Sequence, residues 1–171
     1  MSDATPEDSG ARAPLLVLGW GNLSRGDDAL GPLFVAALRE QLPLKLRAQV
    51  EFLEDYQLQV EHALDLVGRE RLLLVDASLT GPAPFSAQPI SAARDASYTS
   101  HALSAQALLQ VFVDTQGCAA PPATLLAIRG EAFGLGTEMS AAARGHLRAA
   151  VEWGRQWVGQ RGEHGTLSLR G

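Results

Sequence analysis

The sequence predicts an α/β fold, a three-layer sandwich with a mostly parallel, twisted sheet and helices on both faces. Three observations predict it. Apolar runs at Leu15–Leu18 (LLVL) and Leu72–Val75 (LLLV), and the mostly apolar Ala123–Ile128 (ATLLAI), fit strands buried on both faces. Segments with apolar residues at helical spacing alternate with these runs. Acidic or glycine-containing turns follow the runs, where the strands of a parallel sheet hand over to helices and where ligands bind.

The first strand runs into Gly19-Trp20-Gly21-Asn22, residues that tolerate a sharp turn, and then into Asp27-Asp28. A helix follows, with Leu30, Leu33, Phe34, Ala37 and Leu38 on one face, Pro32 in its first turn and an end near Leu42, before Pro43. Two adjacent carboxylates at that point have two readings. One is helix capping, in which they meet free N–H groups and the positive end of the dipole. The other is that one caps while its neighbour points out of the loop as a metal ligand or acid/base group. The glycines do not make a dinucleotide fingerprint, because the third glycine of G-x-G-x-x-G is missing and two carboxylates would repel a pyrophosphate.

A second strand, VEFL from Val50, ends in Glu54-Asp55-Tyr56. Leu58, Val60, Ala63, Leu64 and Val67 then predict a short helix closed by Gly68, with Glu61, His62 and Asp65 on its polar face. The third strand, Arg71–Val75, runs straight into Asp76. A carboxylate there is either a turn cap or a functional group, since burying it unpaired is costly. Gly81-Pro82-Ala83-Pro84 is a loop, and Ala87–Ile90 is restricted to a sheet edge by Pro89. A helix carrying Leu103, Ala107, Leu108, Val111 and Phe112 is expected next, with Ser100 as its N-cap and His101 in its first turn. A helix N-terminus disfavours imidazolium, which keeps a histidine neutral and able to bind metal. The fourth buried strand, Ala123–Ile128, leads into a glycine-rich loop from Arg129 to Gly136. Glu138-Met139-Ser140 opens a last helix, which Trp153 and Trp157 pack. His62, His146 and His164 have weaker claims to function than His101. Cys118, with no flanking His or acid, is not read as a nucleophile.

With 171 residues, 46% of them hydrophobic, the chain suits one domain with a sizeable core. That domain is expected at residues 14–160, between a disordered lead-in (1–13) and a flexible tail (161–171). A net charge of -5 and the lack of a basic run exclude a nucleic-acid surface. No segment is apolar and long enough to span a bilayer, and the start is not a secretory signal, so a cytoplasmic location and no membrane partner are expected. A single cysteine excludes an internal disulfide and a multi-cysteine zinc site.

In such a sheet Asp28, Asp76 and His101 converge at one rim. Two carboxylates and an imidazole suit nickel, zinc, manganese or iron, with Asp55 orienting the group from outside. There is no G-x-S-x-G elbow and no H-E-x-x-H helix, so serine-protease and zinc-protease layouts lack support.

G-W-G-N-L-S-R-G-D-D-A-L-G-P at Gly19–Pro32 resembles the opening motif of the nickel–iron hydrogenase maturation endopeptidases. Asp76 after RLLLV, His101 before a helix, and LLAIRG before a glycine-containing loop follow in the order of that family's later landmarks. The segment from Tyr56 to Glu70 resembles the branch that serves soluble NAD-reducing hydrogenases. The resemblance implies an endopeptidase that removes the C-terminal extension of a hydrogenase large-subunit precursor after nickel insertion. Asp28, Asp76 and His101 would contact nickel that the precursor supplies. Some relatives have Glu at the position of Asp28, which changes the reach by one methylene. Two other classes are a self-contained metallohydrolase with resident metal and a non-catalytic nickel-binding chaperone module.

Overall fold

The computed structural model describes residues 11–95 and 102–160. Its elements are β1 (Leu15–Trp20), a 3₁₀ turn (Gly26–Ala29), α1 (Leu30–Gln41), α2 (Leu44–Arg47), β2 (Val50–Asp55), a 3₁₀ segment (Val60–Leu66), β3 (Arg71–Ser78), β4 (Phe85–Ile90), α3 (Ala105–Gln116), β5 (Ala123–Arg129) and α4 (Ala141–Gly159). The five strands lie in the order β2-β1-β3-β5-β4. All neighbours are parallel except β4, which runs antiparallel along β5 at the edge. The predicted α/β sandwich is the observed fold.

Alternation along the strands divides the core in two. Leu15 and Val17 of β1 and Leu73 and Val75 of β3 face α1 and α4, where they meet Phe34, Val35, Leu38 and Val151. Leu16, Leu18, Leu72 and Leu74 face α3 and the 3₁₀ segment, where they meet Leu66, Leu108, Leu109 and Phe112. Strands buried on both sides need apolar residues at every position, which is why LLVL and LLLV carry no polar alternation.

Gly19 and Gly31 let α1 sit directly on the sheet. A side chain on Gly19 would strike the backbone of Gly31, and one on Gly31 would strike the carbonyls of Trp20 and Val75. The first turn of α1 is thereby pressed against the carboxyl ends of β1 and β3.

Several elements differ from the sequence expectation. The apolar stretch after β2 forms 3₁₀ helix from Val60 to Leu66. Its seven residues are held at the start by Gln59 and His62, and a segment this short gains little from full α-helical pairing. Helix α3 begins at Ala105, not near Ser100. Ser104 is the N-cap, its hydroxyl accepting from the Ala107 amide at 3.1 Å. Ser100 and His101, expected as the cap and in the first turn, both lie outside the described residues. Helix α4 starts at Ala141 with Ser140 as its cap. The expected lead-in is tied down at its end: Arg12 donates to the carbonyls of Leu64 (2.7 Å) and Val67 (2.9 Å), and Arg69 donates to Ala13. The remainder of the lead-in to Gly10 and the tail from Arg161 lie outside the described residues.

Candidate functional site

The carboxyl ends of β1, β2, β3 and β5 share one rim, because these strands are parallel. The paired aspartates of the loop after β1 have opposite fates there. Asp27 is fully buried. Its Oδ2 accepts from the amides of Glu131 (2.7 Å) and Ala132 (2.9 Å) and from the Ser140 hydroxyl (2.7 Å), while Oδ1 accepts from the Ser140 amide (2.7 Å). Burial raises its pKa, but these four bonds together hold the carboxyl below the usual range. Asp27 therefore caps no part of its own helix. It ties the first 3₁₀ turn to the loop after β5 and to the start of α4.

Asp28 points the other way. Its Oδ2 accepts from the Asn22 amide at 2.9 Å, which fixes the carboxylate across the turn. Asn22 is itself set by an Asx turn, with Oδ1 accepting from the Ser24 amide at 2.8 Å. Neither aspartate caps the helix that follows: Asp27 turns inward to the start of α4, and Asp28 turns to the Asn22 amide.

Asp76 lies inside β3, which extends to Ser78, and by alternation shares its face with Leu72 and Leu74. Burial pushes its pKa up to about 7, and the charge of Asp28 adds to the rise, against the Ala77 amide and the Trp20 indole N–H. Asp28 and Asp76 therefore form an interacting pair of acids. At neutral pH the pair carries a shared burden of charge that a proton or a cation relieves.

Asp55 ends β2 level with Trp20 and stands apart from that pair. Its Oδ2 lies 3.1 Å from Nε2 of His62, and its Oδ1 accepts from the Tyr56 amide at 2.6 Å. His62 Nδ1 accepts from the Gln59 amide at 2.9 Å, so the proton of the neutral ring sits on Nε2 and is donated to Asp55. Tyr56 accepts from the Asn22 side chain at 3.1 Å, which connects the end of β2 to the loop that holds Asp28. A cleft of about 390 Å³ opens here, walled by Asn22, Leu23, Pro32, Glu54 and Tyr56.

Of the three predicted site residues, Asp28 and Asp76 are brought together and His101 lies outside the described residues. Among the described residues no group of three His, Cys, Asp or Glu side chains is placed to hold a metal ion. His146 Nδ1 lies 2.7 Å from the Arg129 carbonyl, and Cys118 is exposed in its loop. Sequence reasoning missed Asn22 and Ser140. The G-N-L-S turn signalled the first, and nothing local signalled the partnership of Ser140 with Asp27.

Neither a protein-family model nor a curated protein sequence matches the chain. Solved structures do. A nickel–iron hydrogenase maturation protease, HycI, from Thermococcus kodakarensis superposes with a TM-score of 0.68 at 18% identity, over 86% of this chain and 94% of that one. The hydrogenase maturating endopeptidase HybD from E. coli gives 0.64 at 23% identity, over 81% and 88%. A hydrogenase 2 maturation peptidase from a Thaumarchaeota archaeon gives 0.60 at 22%, over 86% and 99%. The chain has their fold. It spans nearly the whole of each of these proteins. Among the described residues no helix is long and apolar enough to cross a membrane.

Proposed function

We propose that this protein is a nickel–iron hydrogenase maturation endopeptidase of the cytoplasm, which removes the C-terminal extension of a hydrogenase large-subunit precursor after nickel insertion. The observation that carries the reading is the acid pair Asp28 and Asp76 at the carboxyl rim, in a chain with the fold of three maturation proteases. The opening motif at Gly19–Pro32 supports it from the sequence side.

In this reading nickel arrives as part of the substrate. Asp28, fixed by the Asn22 amide, offers one oxygen ligand, and Asp76 offers a second. His101, three residues before the α3 cap, supplies the nitrogen. In the free protein Asp76 holds a proton to about pH 7, because burial and Asp28 disfavour its charge. A cation between the two carboxylates removes that penalty and displaces the proton. A precursor without nickel offers no such compensation and leaves the proton in place, which makes the pair a reader of metal loading. Held on this contact, the scissile peptide lies beside groups that can polarise its carbonyl or position a water.

The test mixes the precursor, nickel-loaded or nickel-free, with the protein or its His101→Ala variant and reads the intact mass of the precursor. Loss of the C-terminal extension only with loaded precursor and unaltered protein is the expected result. A stable complex with no mass change would replace the protease by a binding module. Equal cleavage of nickel-free precursor would remove nickel from recognition, and equal cleavage by His101→Ala would remove that residue from the site.

A further inference from the structure

Four loops follow the four parallel strands, and each presents one large apolar side chain to solvent. Leu23 follows β1, Tyr56 follows β2, Leu79 follows β3 and Leu135 lies in the loop after β5. They are 65%, 63%, 61% and 70% exposed, respectively. Isolated exposed leucines are ordinary on a protein surface, but one on every loop of a single rim is a patch. Among the described residues, the other exposed large apolar side chains are Leu33 in the first turn of α1, Val60 and Leu64 in the second 3₁₀ segment, and Leu44. Leu44, 78% exposed in α2, stands at the opposite pole, before β2 begins.

The four loops lie on the same rim as the acid pair. Strand spacing of about 4.8 Å puts the loops after β2 and β5 roughly 14 Å apart across β1 and β3. Anchors distributed around a rim of that width suit a folded surface better than a single extended peptide. The same rim is acidic. Asp28, Glu54, Asp76, Glu131 and Glu138 lie on its turns and strand ends, against Arg25 and Arg129. Both Arg129 nitrogens with partners are turned onto carbonyls, those of Gly130 and Gly81.

We infer that Leu23, Tyr56, Leu79 and Leu135 form an apolar crown that docks the folded body of the precursor on a basic, apolar-centred face, apart from the contact made by its C-terminal extension. This rests on the proposed function and names the surface by which the partner is held. An apolar ring excludes water around the acids, which strengthens their interaction with a cation at the centre, and the acidic surround steers a basic face onto it. The crown residues are docking residues and touch no reacting group.

The test measures how cleavage of nickel-loaded precursor, read by intact mass, depends on precursor concentration, taking the unaltered full-length protein as parent and KM as the measure of binding. Leu79→Ser, Leu135→Ser and the far-pole control Leu44→Ser are made singly in that parent. All three positions are exposed, and matched thermal midpoints verify that the fold is kept. Leu79→Ser and Leu135→Ser should each weaken binding about tenfold, Leu44→Ser should leave it unchanged, and a peptide of the extension alone should fail to compete. Crown variants that bind as tightly as their parent, a control that weakens as much, or a competing peptide would each overturn the crown while leaving the protease reading intact. A parent that neither binds nor cleaves the loaded precursor would overturn both.

Discussion

Replacing Asp76 by asparagine should stabilise the metal-free protein, and by more as the pH rises. The folded carboxyl keeps its proton to about pH 7, against a value of 3.8 when it is not perturbed. Between those values the folded state binds a proton that the unfolded state has released, so stability falls as pH rises through the interval and levels off above it. Each pH unit removes about 1.4 kcal/mol, and the loss sums to about 4 kcal/mol by pH 7. Asparagine has nearly the same shape and never ionises, so it avoids this loss. Urea unfolding of chelator-treated protein, followed by tryptophan fluorescence, gives the free energies of both forms from about pH 4 to about pH 8. The difference between variant and parent should climb through the interval and then stay flat. Taking the difference cancels the titration of carboxylates that do not interact with Asp76. Because burial is the larger cause and Asp28 a lesser one, Asp28→Asn should recover only a fraction of the gain. A difference that stays constant with pH would refute the reasoning, since it would mean that Asp76 ionises in the folded protein as it does in the unfolded chain. The gain in stability should accompany loss of precursor processing, as expected where a binding site stores unfavourable charge.

Asp27→Asn should act in the opposite direction. Its amide nitrogen would face one of the donors from Glu131, Ala132 or Ser140, at a cost of about 3 kcal/mol in urea unfolding, and amide exchange at those three residues should quicken. Gly31→Ala and Gly145→Ala make the same chemical change with opposite signs. At Gly31 the added carbon strikes the backbone of Trp20 and Val75, and the expected loss exceeds about 3 kcal/mol. At Gly145, inside α4, the nearest atom is 3.8 Å away at the tip of Arg148, and alanine should gain up to about 1 kcal/mol in thermal or urea unfolding.

The sheet was legible because its strands are buried on both faces. LLVL and LLLV leave no polar position for solvent, ATLLAI leaves only Thr124, and Pro89 restricts β4 to an edge that the structure does place outermost. Asp76 was legible for the same reason, as an acid attached to an apolar run. Helix boundaries were less so. Both Ser100 and Ser104 stand where a serine can cap α3, and the packing of Ala105, Leu108 and Leu109 against β1 and β3 favours the later one. The segment after β2 has helical spacing, yet its seven residues lie between Gln59, capped by His62, and the turn before Arg69. Arg69 is buried and paired with Glu51 of β2. Those ties fix its two ends and leave it the tighter 3₁₀ form.

The roles of Asp27 and Asp28 show why part of the site was beyond local reading. Both are small acids before a helix, and every local rule treats them alike. On a 3₁₀ turn, successive side chains point about 120° apart, so only one of the two can enter the interior and the other must face outward. The choice is made by Ser140, which lies 113 residues away and offers its amide and its hydroxyl to the same carboxylate. Two more amides, from Glu131 and Ala132, complete a nest that only an ionised acid fills. Once Asp27 is committed to that nest, Asp28 has one direction left, toward β3, where its charge raises Asp76. The buried acid therefore sets the direction of its half-buried neighbour. A loop without Asp27 would keep Asp28 in sequence and lose the constraint that aims it at its partner.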